Sequence, residues 1–252
     1  MSRINLYVQF DRPVNNSERE TYKELLRRRV QKEPLQYIIG TTEFMSLPFA
    51  VNSDVLIPRP ETEILVETVI NSFKNSNNVR ILDIGCGSGA IGVTLAYYIP
   101  GAQIVCTDVS EKALSVAMQN ARENNVYKRI LFLRDNIFIS NAVSGLNEKF
   151  DAVVSNPPYV SEEEWNSLEP EVKDWEPKKA LVAEDNGLKF YPEIAGNAAK
   201  ILKTQGFLAV EVGMGQADEV KNIFFRAGFG NLQIIDDYNQ IPRVITGVLQ
   251  KS

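Results

Sequence analysis

Two short segments carry residues whose types and spacing can do chemistry. The first is Ile81-Leu82-Asp83-Ile84-Gly85-Cys86-Gly87-Ser88-Gly89-Ala90. A strand-like run ends there in a loop with glycine at every second position, and a helical pattern follows. Glycine permits positive φ and lets a ligand come close to the backbone. The helix start behind it offers unpaired N–H groups. About twenty residues on, Asp108 ends the next strand-like run, where a carboxylate can hold two ribose hydroxyls. The second segment is Asn156-Pro157-Pro158-Tyr159, which leaves the apolar run Asp151-Ala152-Val153-Val154-Ser155.

Two cofactor classes fit the glycine loop. Gly87-Ser88-Gly89-Ala90-Ile91-Gly92 satisfies GxGxxG, the dinucleotide pattern, which is weak by itself. The other frame is Asp83, Gly85, Gly87, Gly89, which resembles the S-adenosylmethionine loop of Rossmann-like methyltransferases. Asp83 discriminates between them. A carboxylate beside a pyrophosphate would repel it, whereas S-adenosylmethionine carries an ammonium and a sulfonium. Cys86 and Ser88 lie within the loop and share its cofactor assignment. With no histidine to activate a thiolate, Cys86 reads as a small space-filler rather than a nucleophile. The third strand-like run ends at Arg134-Asp135-Asn136, and either Asp135 or Asn136 can accept from an adenine amino group.

The proline segment suggests the acceptor. Pro157 pushes Asn156 into an extended conformation. Two prolines fix φ and remove N–H donors, so the loop is stiff and rich in acceptors. The Asn156 amide oxygen and the Pro157 carbonyl can together bind both hydrogens of a planar NH2 group, on which Tyr159 can stack. Such a site suits methylation of a conjugated, poorly nucleophilic nitrogen, because the acceptors position it and stabilise its developing charge. Asn156, Pro157 and Tyr159 are the expected catalytic residues; Pro158 joins them in binding the substrate, and Asn156 is also expected to touch the cofactor. No metal is expected.

The rest of the chain must position these segments. It has 252 residues, 44% hydrophobic and 23% charged, with no histidine and two cysteines. The missing histidine excludes any histidine base, nucleophile or metal ligand. Two cysteines are too few for a zinc cluster or a disulfide framework. The net charge of -5 disfavours a broad grip on nucleic acid. No run approaches the ~18 apolar residues of a membrane span, and the N-terminus lacks a secretory h-region. The expected location is the cytoplasm.

From residue 61 strand-like runs (80–85, 103–109, 130–134, 150–155, 206–212) alternate with helical patterns (61–73, 89–99, 111–124, 187–203, 215–227). Such alternation predicts an α/β fold with a parallel sheet covered by helices on both faces. Runs 231–237 and 243–250 are separated by too short a piece for a parallel crossover, so the last strand should be antiparallel. The expectation is a Rossmann-like, seven-stranded, mostly parallel sheet. Residues 1–40 read as a small helical segment, with Ser17 and Glu20 forming a capping box before a basic run at Arg27-Arg28-Arg29. That run reads either as a solvated helix end or as a surface for an anionic partner. Residues 41–59 read as a hairpin linker, and 60–252 as the catalytic domain. Pro60 suits a first helical turn with Glu61 and Glu63 behind it.

At this point the chain resembles the HemK/PrmC family, glutamine methyltransferases of peptide-chain release factors. The resemblance runs through Glu33 to Ile38 with Gly40, Glu43-Phe44, and Leu56-Ile57-Pro58-Arg59-Pro60-Glu61-Thr62-Glu63. It continues through Asp83 to Gly89, Asn156 to Tyr159, Glu176-Pro177, Ala180-Leu181, Asp185-Gly187-Leu188 and Arg243-Val244. It implies methyl transfer from S-adenosylmethionine, leaving S-adenosylhomocysteine, to the glutamine amide of a Gly-Gly-Gln motif. The partner it implies is a release factor. The family's cofactor role falls on Gly85, Gly87, Gly89 and Asp108, and its glutamine-binding role on Asn156, Pro157 and Tyr159. Arg59 and Glu61 match the segment bordering the substrate pocket, or else form a salt-bridged linker. Residues 1–40 match the last part of the family's N-terminal helical lobe. A monomer is expected, with no direct DNA binding and no membrane association. The rival reading is an RNA or DNA exocyclic-amine methyltransferase, since the same tetrapeptide serves enzymes that splay a base into such a pocket. A non-catalytic adaptor and a dehydrogenase are the remaining alternatives.

Overall fold

The computed structural model describes residues 3–139, 143–146 and 148–250. The chain enters through helices α1 (Arg3–Val8), α2 (Asn16–Val30) and α3 (Leu35–Ile39). The cap of α2 differs from the expectation. Asn15, not Ser17, is the N-cap, and its box partner is Glu18 rather than Glu20. Glu18 also takes a hydrogen bond from Arg12, which holds the earlier register. The basic run meets carboxylates of its own chain: Arg27 pairs with Glu24, Arg28 with Glu33 and Arg29 with Glu171. The run is thus largely neutralised internally.

A hairpin follows, β1 (Thr41–Phe44) and β2 (Leu47–Ala50), paired antiparallel as expected. Its turn residues Met45 and Ser46 both have positive φ, as a type I′ hairpin turn requires. Next come α4 (Pro60–Phe73), β3 (Arg80–Ile84), α5 (Ala90–Tyr98), β4 (Gln103–Asp108), α6 (Glu111–Glu123), β5 (Ile130–Arg134) and β6 (Phe150–Ser155). Then follow α7 (Glu162–Ser167), α8 (Pro170–Lys173), α9 (Phe190–Ile201), β7 (Leu202–Glu211), α10 (Ala217–Arg226), β8 (Phe229–Asp236) and β9 (Pro242–Leu249). Pro60 is at the start of α4 with Glu61 and Glu63 in its first turn, as expected. Among the described residues no helix is long and apolar enough to cross a membrane.

The seven long strands form one sheet in the order β5-β4-β3-β6-β7-β9-β8. The pairs from β5 to β7 are parallel, and β9 runs antiparallel to both β7 and β8. The strand period of two splits the core between the two faces. Ile81, Ile104, Ala152 and Val154 join one apolar cluster with Leu65 and Val93, from the helices covering that face. Leu82, Val105 and Val153 join the other with Tyr191, Ile194 and Phe224. Strand order reverses at β3, with β4 and β5 on one side and β6 and β7 on the other. In open α/β sheets the crevice at such a switch point, beyond the carboxyl ends of the strands, is where ligands bind.

The hairpin is tied to that crevice by a buried amide. Asn120 of α6 is fully buried. Its Oδ1 accepts from the Ala50 N–H at 2.7 Å, and its Nδ2 donates to the carbonyls of Ala50 at 3.1 Å and Ser88 at 2.8 Å. One side chain thereby joins β2, the glycine loop and α6. Replacing it with Ala removes three hydrogen bonds and strands their backbone partners. The expected result for Asn120→Ala is a loss of about 2–3 kcal/mol, read as a lowered urea midpoint.

Candidate active site

The glycine loop joins β3 to α5 as anticipated. Gly85, Gly87 and Gly89 all have positive φ, at 72°, 54° and 79°. Nothing lies within 4 Å of where a side chain on Gly85 or Gly87 would sit, so these two glycines leave open space above the loop. The N–H groups of Gly85 and Cys86 both donate to the Thr107 carbonyl at 2.9 Å, which pins the loop to β4.

Asp108 ends β4. Its Oδ2 accepts from the Gly87 N–H and its Oδ1 from the Ser110 N–H, each at 2.9 Å. Ser110 in turn caps α6. The Val109 N–H also acts on this carboxylate; an ionised carboxylate has about four lone-pair sites, so acceptor capacity remains for a ligand hydroxyl. Burial pushes this carboxyl up, while the backbone donors of Ser110 and Gly87 pull it back. A ligand with paired hydroxyls would replace the lost solvent, and the residues present therefore fit a ribose.

A cavity of about 350 Å³ opens at these strand ends. Gly85, Gly87, Asp108, Asp135, Asn156, Pro157 and Pro158 all line it. The structure thus brings the two chemistry-bearing segments to one space. Asp135 faces the cavity, whereas Asn136 lines a separate depression beside it and its Oδ1 accepts from the Phe138 N–H. Two further wall segments come from the linker, Ser53 to Leu56, and from Pro177, Lys179 and Ala180; of these the family resemblance marks Leu56, Pro177 and Ala180 without assigning them to the site.

Other expected residues support the cavity from outside. Asp83 is fully buried beneath the loop, where its Oδ2 accepts from the Gly92 N–H at 2.9 Å. Its charge does not face the cavity, and burial lifts its carboxyl to about 7. Cys86 is buried near Cys106, and that neighbour together with burial disfavours its thiolate. Cys86, Ser88 and Gly89 do not line the cavity. Arg59 forms an ion pair with the buried Glu176, whose other oxygen accepts from the Ile57 N–H at 3.1 Å. The linker reading of Arg59 therefore has direct geometry. Glu61 is half-buried and stands outside the lining.

The proline loop is held from below and from the side. Ser155 Oγ donates to the Ile84 carbonyl at 2.8 Å, joining β6 to β3 immediately before Asn156. The N–H groups of Tyr159 and Val160 donate to the Leu181 carbonyl, and Gln216 Nε2 donates to the Tyr159 carbonyl at 2.9 Å. Gly187 touches the same carbonyl. A Cβ there would lie 2.0 Å from it, and φ is +83°, so the position requires glycine twice over.

Beneath the loop lies a carboxylate that the sequence reading missed. Glu211, at the end of β7, is 1% exposed. Thr62 Oγ1 donates to its Oε2 at 2.6 Å, and the Tyr159 hydroxyl donates to its Oε1 at 3.1 Å. Asn156 Nδ2 donates to Thr62 Oγ1 at 3.1 Å. Tyr159 thus turns its hydroxyl inward and does not line the cavity. The available signal was a lone carboxylate in Leu208-Ala209-Val210-Glu211-Val212, at the carboxyl end of a strand.

Burial raises the Glu211 carboxyl from 4.5 to about 7. Between those values the folded chain holds a proton that the unfolded chain has released. The group's contribution to stability is therefore full below about pH 4.5 and is lost as pH rises through 7. Glu211→Gln removes the titration. The wild type should lose stability relative to this variant from pH 5 to pH 8, by on the order of 2–3 kcal/mol. Thermal melts of both proteins across that range check the sign.

The chain is similar to known methyltransferases. Residues 60–169 match the family described as Methyltransferase small domain, and residues 1–40 match the PrmC N-terminal domain. The chain is 40% identical over 247 residues to the release factor glutamine methyltransferase of Geobacter sulfurreducens, covering 98% of this chain and 84% of that protein. It is 41% identical over 255 residues to the protein of the same name from Thermodesulfovibrio yellowstonii, covering all of this chain and 88% of the relative. Among solved structures, a methyltransferase from Pyrococcus furiosus superposes with a TM-score of 0.60 at 15% identity, over 92% of this chain and 99% of that one. The hMettl16 catalytic domain, solved with an RNA hairpin, gives 0.68 at 14% identity, over 96% and 95%. These two share the fold. From the full-length relatives it follows that the chain is a methyltransferase and belongs to the release factor glutamine methyltransferase family.

Proposed function

We propose that the chain methylates the side-chain amide nitrogen of the glutamine in the Gly-Gly-Gln motif of release factors, using S-adenosylmethionine. The observation that carries this reading is the shared cavity. Asn156, Pro157 and Pro158 line it together with Gly85, Gly87 and Asp108. Acceptors suited to an NH2 group thus meet a cradle suited to a nucleoside.

When bound, the cofactor supplies an electrophilic methyl group and leaves as S-adenosylhomocysteine. Asp108 holds the ribose hydroxyls, and Asp135 is assigned the adenine edge. The Asn156 oxygen and the Pro157 carbonyl take the two amide N–H groups and orient the nitrogen lone pair. As that nitrogen becomes positive, the same acceptors stabilise it without reorganising. It sheds one proton to solvent once the methyl is in place. Residues 1–40 are assigned to grip the protein substrate, 41–59 to link, and 60–252 to carry the transfer. The reaction is assigned to the cytoplasm, where translation ends.

The test is label transfer from radiolabelled cofactor to either a Gly-Gly-Gln peptide or total RNA. Label on the peptide is expected. Label confined to RNA would refute this reading and favour an exocyclic-amine enzyme.

A further inference from the structure

The geometry points to Thr62 and Glu211 as positioning residues that fix which end of the Asn156 amide faces the cavity, and so make the site select an amide over a carboxylate. This inference rests on the proposed function.

An asparagine amide is nearly symmetric in shape. Turned one way it presents an acceptor, and turned the other way a donor. A glutamine substrate needs the acceptor, whereas a glutamate carboxylate would welcome the donor. Something must therefore hold the amide in one sense.

The chain of hydrogen bonds does so by polarity. Above about pH 7 Glu211 is ionised, and a carboxylate only accepts. Both oxygens of Glu211 are occupied by hydroxyls, Thr62 at 2.6 Å and Tyr159 at 3.1 Å. With its proton committed to Glu211, Thr62 Oγ1 offers only lone pairs. Only the NH2 end of Asn156 can use them, and it does so at 3.1 Å. The Asn156 oxygen is left for the ligand. Thr62 is 4% exposed and Glu211 is 1% exposed, so solvent has little room to substitute for either. The groups that face Glu211 are Thr62, Tyr159, Tyr191 through the Glu211 carbonyl, Arg243 and Glu61. The hydroxyl donors and Arg243 favour the ionised form; Glu61 and burial oppose it.

The test measures a ratio rather than a rate. Affinities of Gly-Gly-Gln and Gly-Gly-Glu peptides are compared at about pH 8.5, where Glu211 is ionised, with S-adenosylhomocysteine present, for the wild type, Thr62→Ser and Thr62→Val. The wild type should prefer the glutamine peptide, and Thr62→Ser should keep that preference within about twofold. Thr62→Val keeps the shape but frees the amide to turn, so the preference should fall about tenfold, or 1.4 kcal/mol. If Thr62→Val does not fold, Thr62→Ala carries the same expectation. A general loss of packing would weaken both peptides together and leave the ratio alone. An unchanged ratio in the valine or alanine variant would overturn the relay while leaving the proposed function standing. A wild type that ignores both peptides would overturn the proposed function, and the relay with it.

Discussion

Asn156→Ala should reduce methyl transfer to a Gly-Gly-Gln peptide by roughly 100- to 1,000-fold, the usual effect of removing one preorganised partner of a developing charge. The side chain sits at the cavity edge, with its nitrogen already bound to Thr62. Truncation removes the acceptor for the attacking nitrogen and leaves the Thr62 hydroxyl oxygen without its donor. Because that acceptor acts most in the transition state, turnover should fall much further than cofactor affinity. Single-turnover kinetics, with cofactor binding measured separately, decide the matter. A wild-type rate in the variant would show that Asn156 does not hold the acceptor. Asn156→Asp refines the test, since it keeps the shape but faces Thr62 with an acceptor instead of a donor.

The second large effect belongs to Asp108. Asp108→Ala should weaken S-adenosylmethionine binding by about 3–4 kcal/mol, or roughly 100- to 1,000-fold, through two lost charge-assisted hydrogen bonds. The structure adds a consequence that the sequence reading lacked. Asp108 also accepts from the N–H groups of Gly87 and Ser110, so the alanine variant loosens the glycine loop and the cap of α6. Asp108→Asn retains one acceptor oxygen and separates the two contributions. Calorimetry gives the affinity, and a thermal melt shows that the fold persists. Unchanged affinity in both variants would remove Asp108 from the ribose site.

The pattern of strands and helices was legible because burial imposes a period. Strands buried on both faces read as apolar runs, and amphipathic helices sit between them. The antiparallel last strand followed from a connection too short for a crossover. The cap of α2 was not legible, because Asn15, Asn16 and Ser17 are all good caps and Glu18 and Glu20 both offer box partners. In the fold Asn15 and Glu18 form the box, Arg12 donates to Glu18, and Asn16 accepts from Arg19 instead. The loop motifs were legible because glycine and proline act on their own backbone. What lies under the loops was not. Thr62 and Glu211 are 149 residues apart and meet only in the folded sheet. Asn120 gives no local sign that it will join a hairpin to the glycine loop. The motif alone places Asp83 toward the cofactor. Its position within β3 instead turns the carboxylate down to the Gly92 N–H.

The central claim is that the methyl group goes to one glutamine amide. The most direct measurement is fragment mass spectrometry of an intact release factor incubated with the protein and S-adenosylmethionine. The account predicts a mass gain of one methylene on the glutamine of Gly-Gly-Gln, with no gain when that residue is changed to glutamate. An unmodified glutamine, or a methyl group found on another residue or only on added RNA, would contradict it.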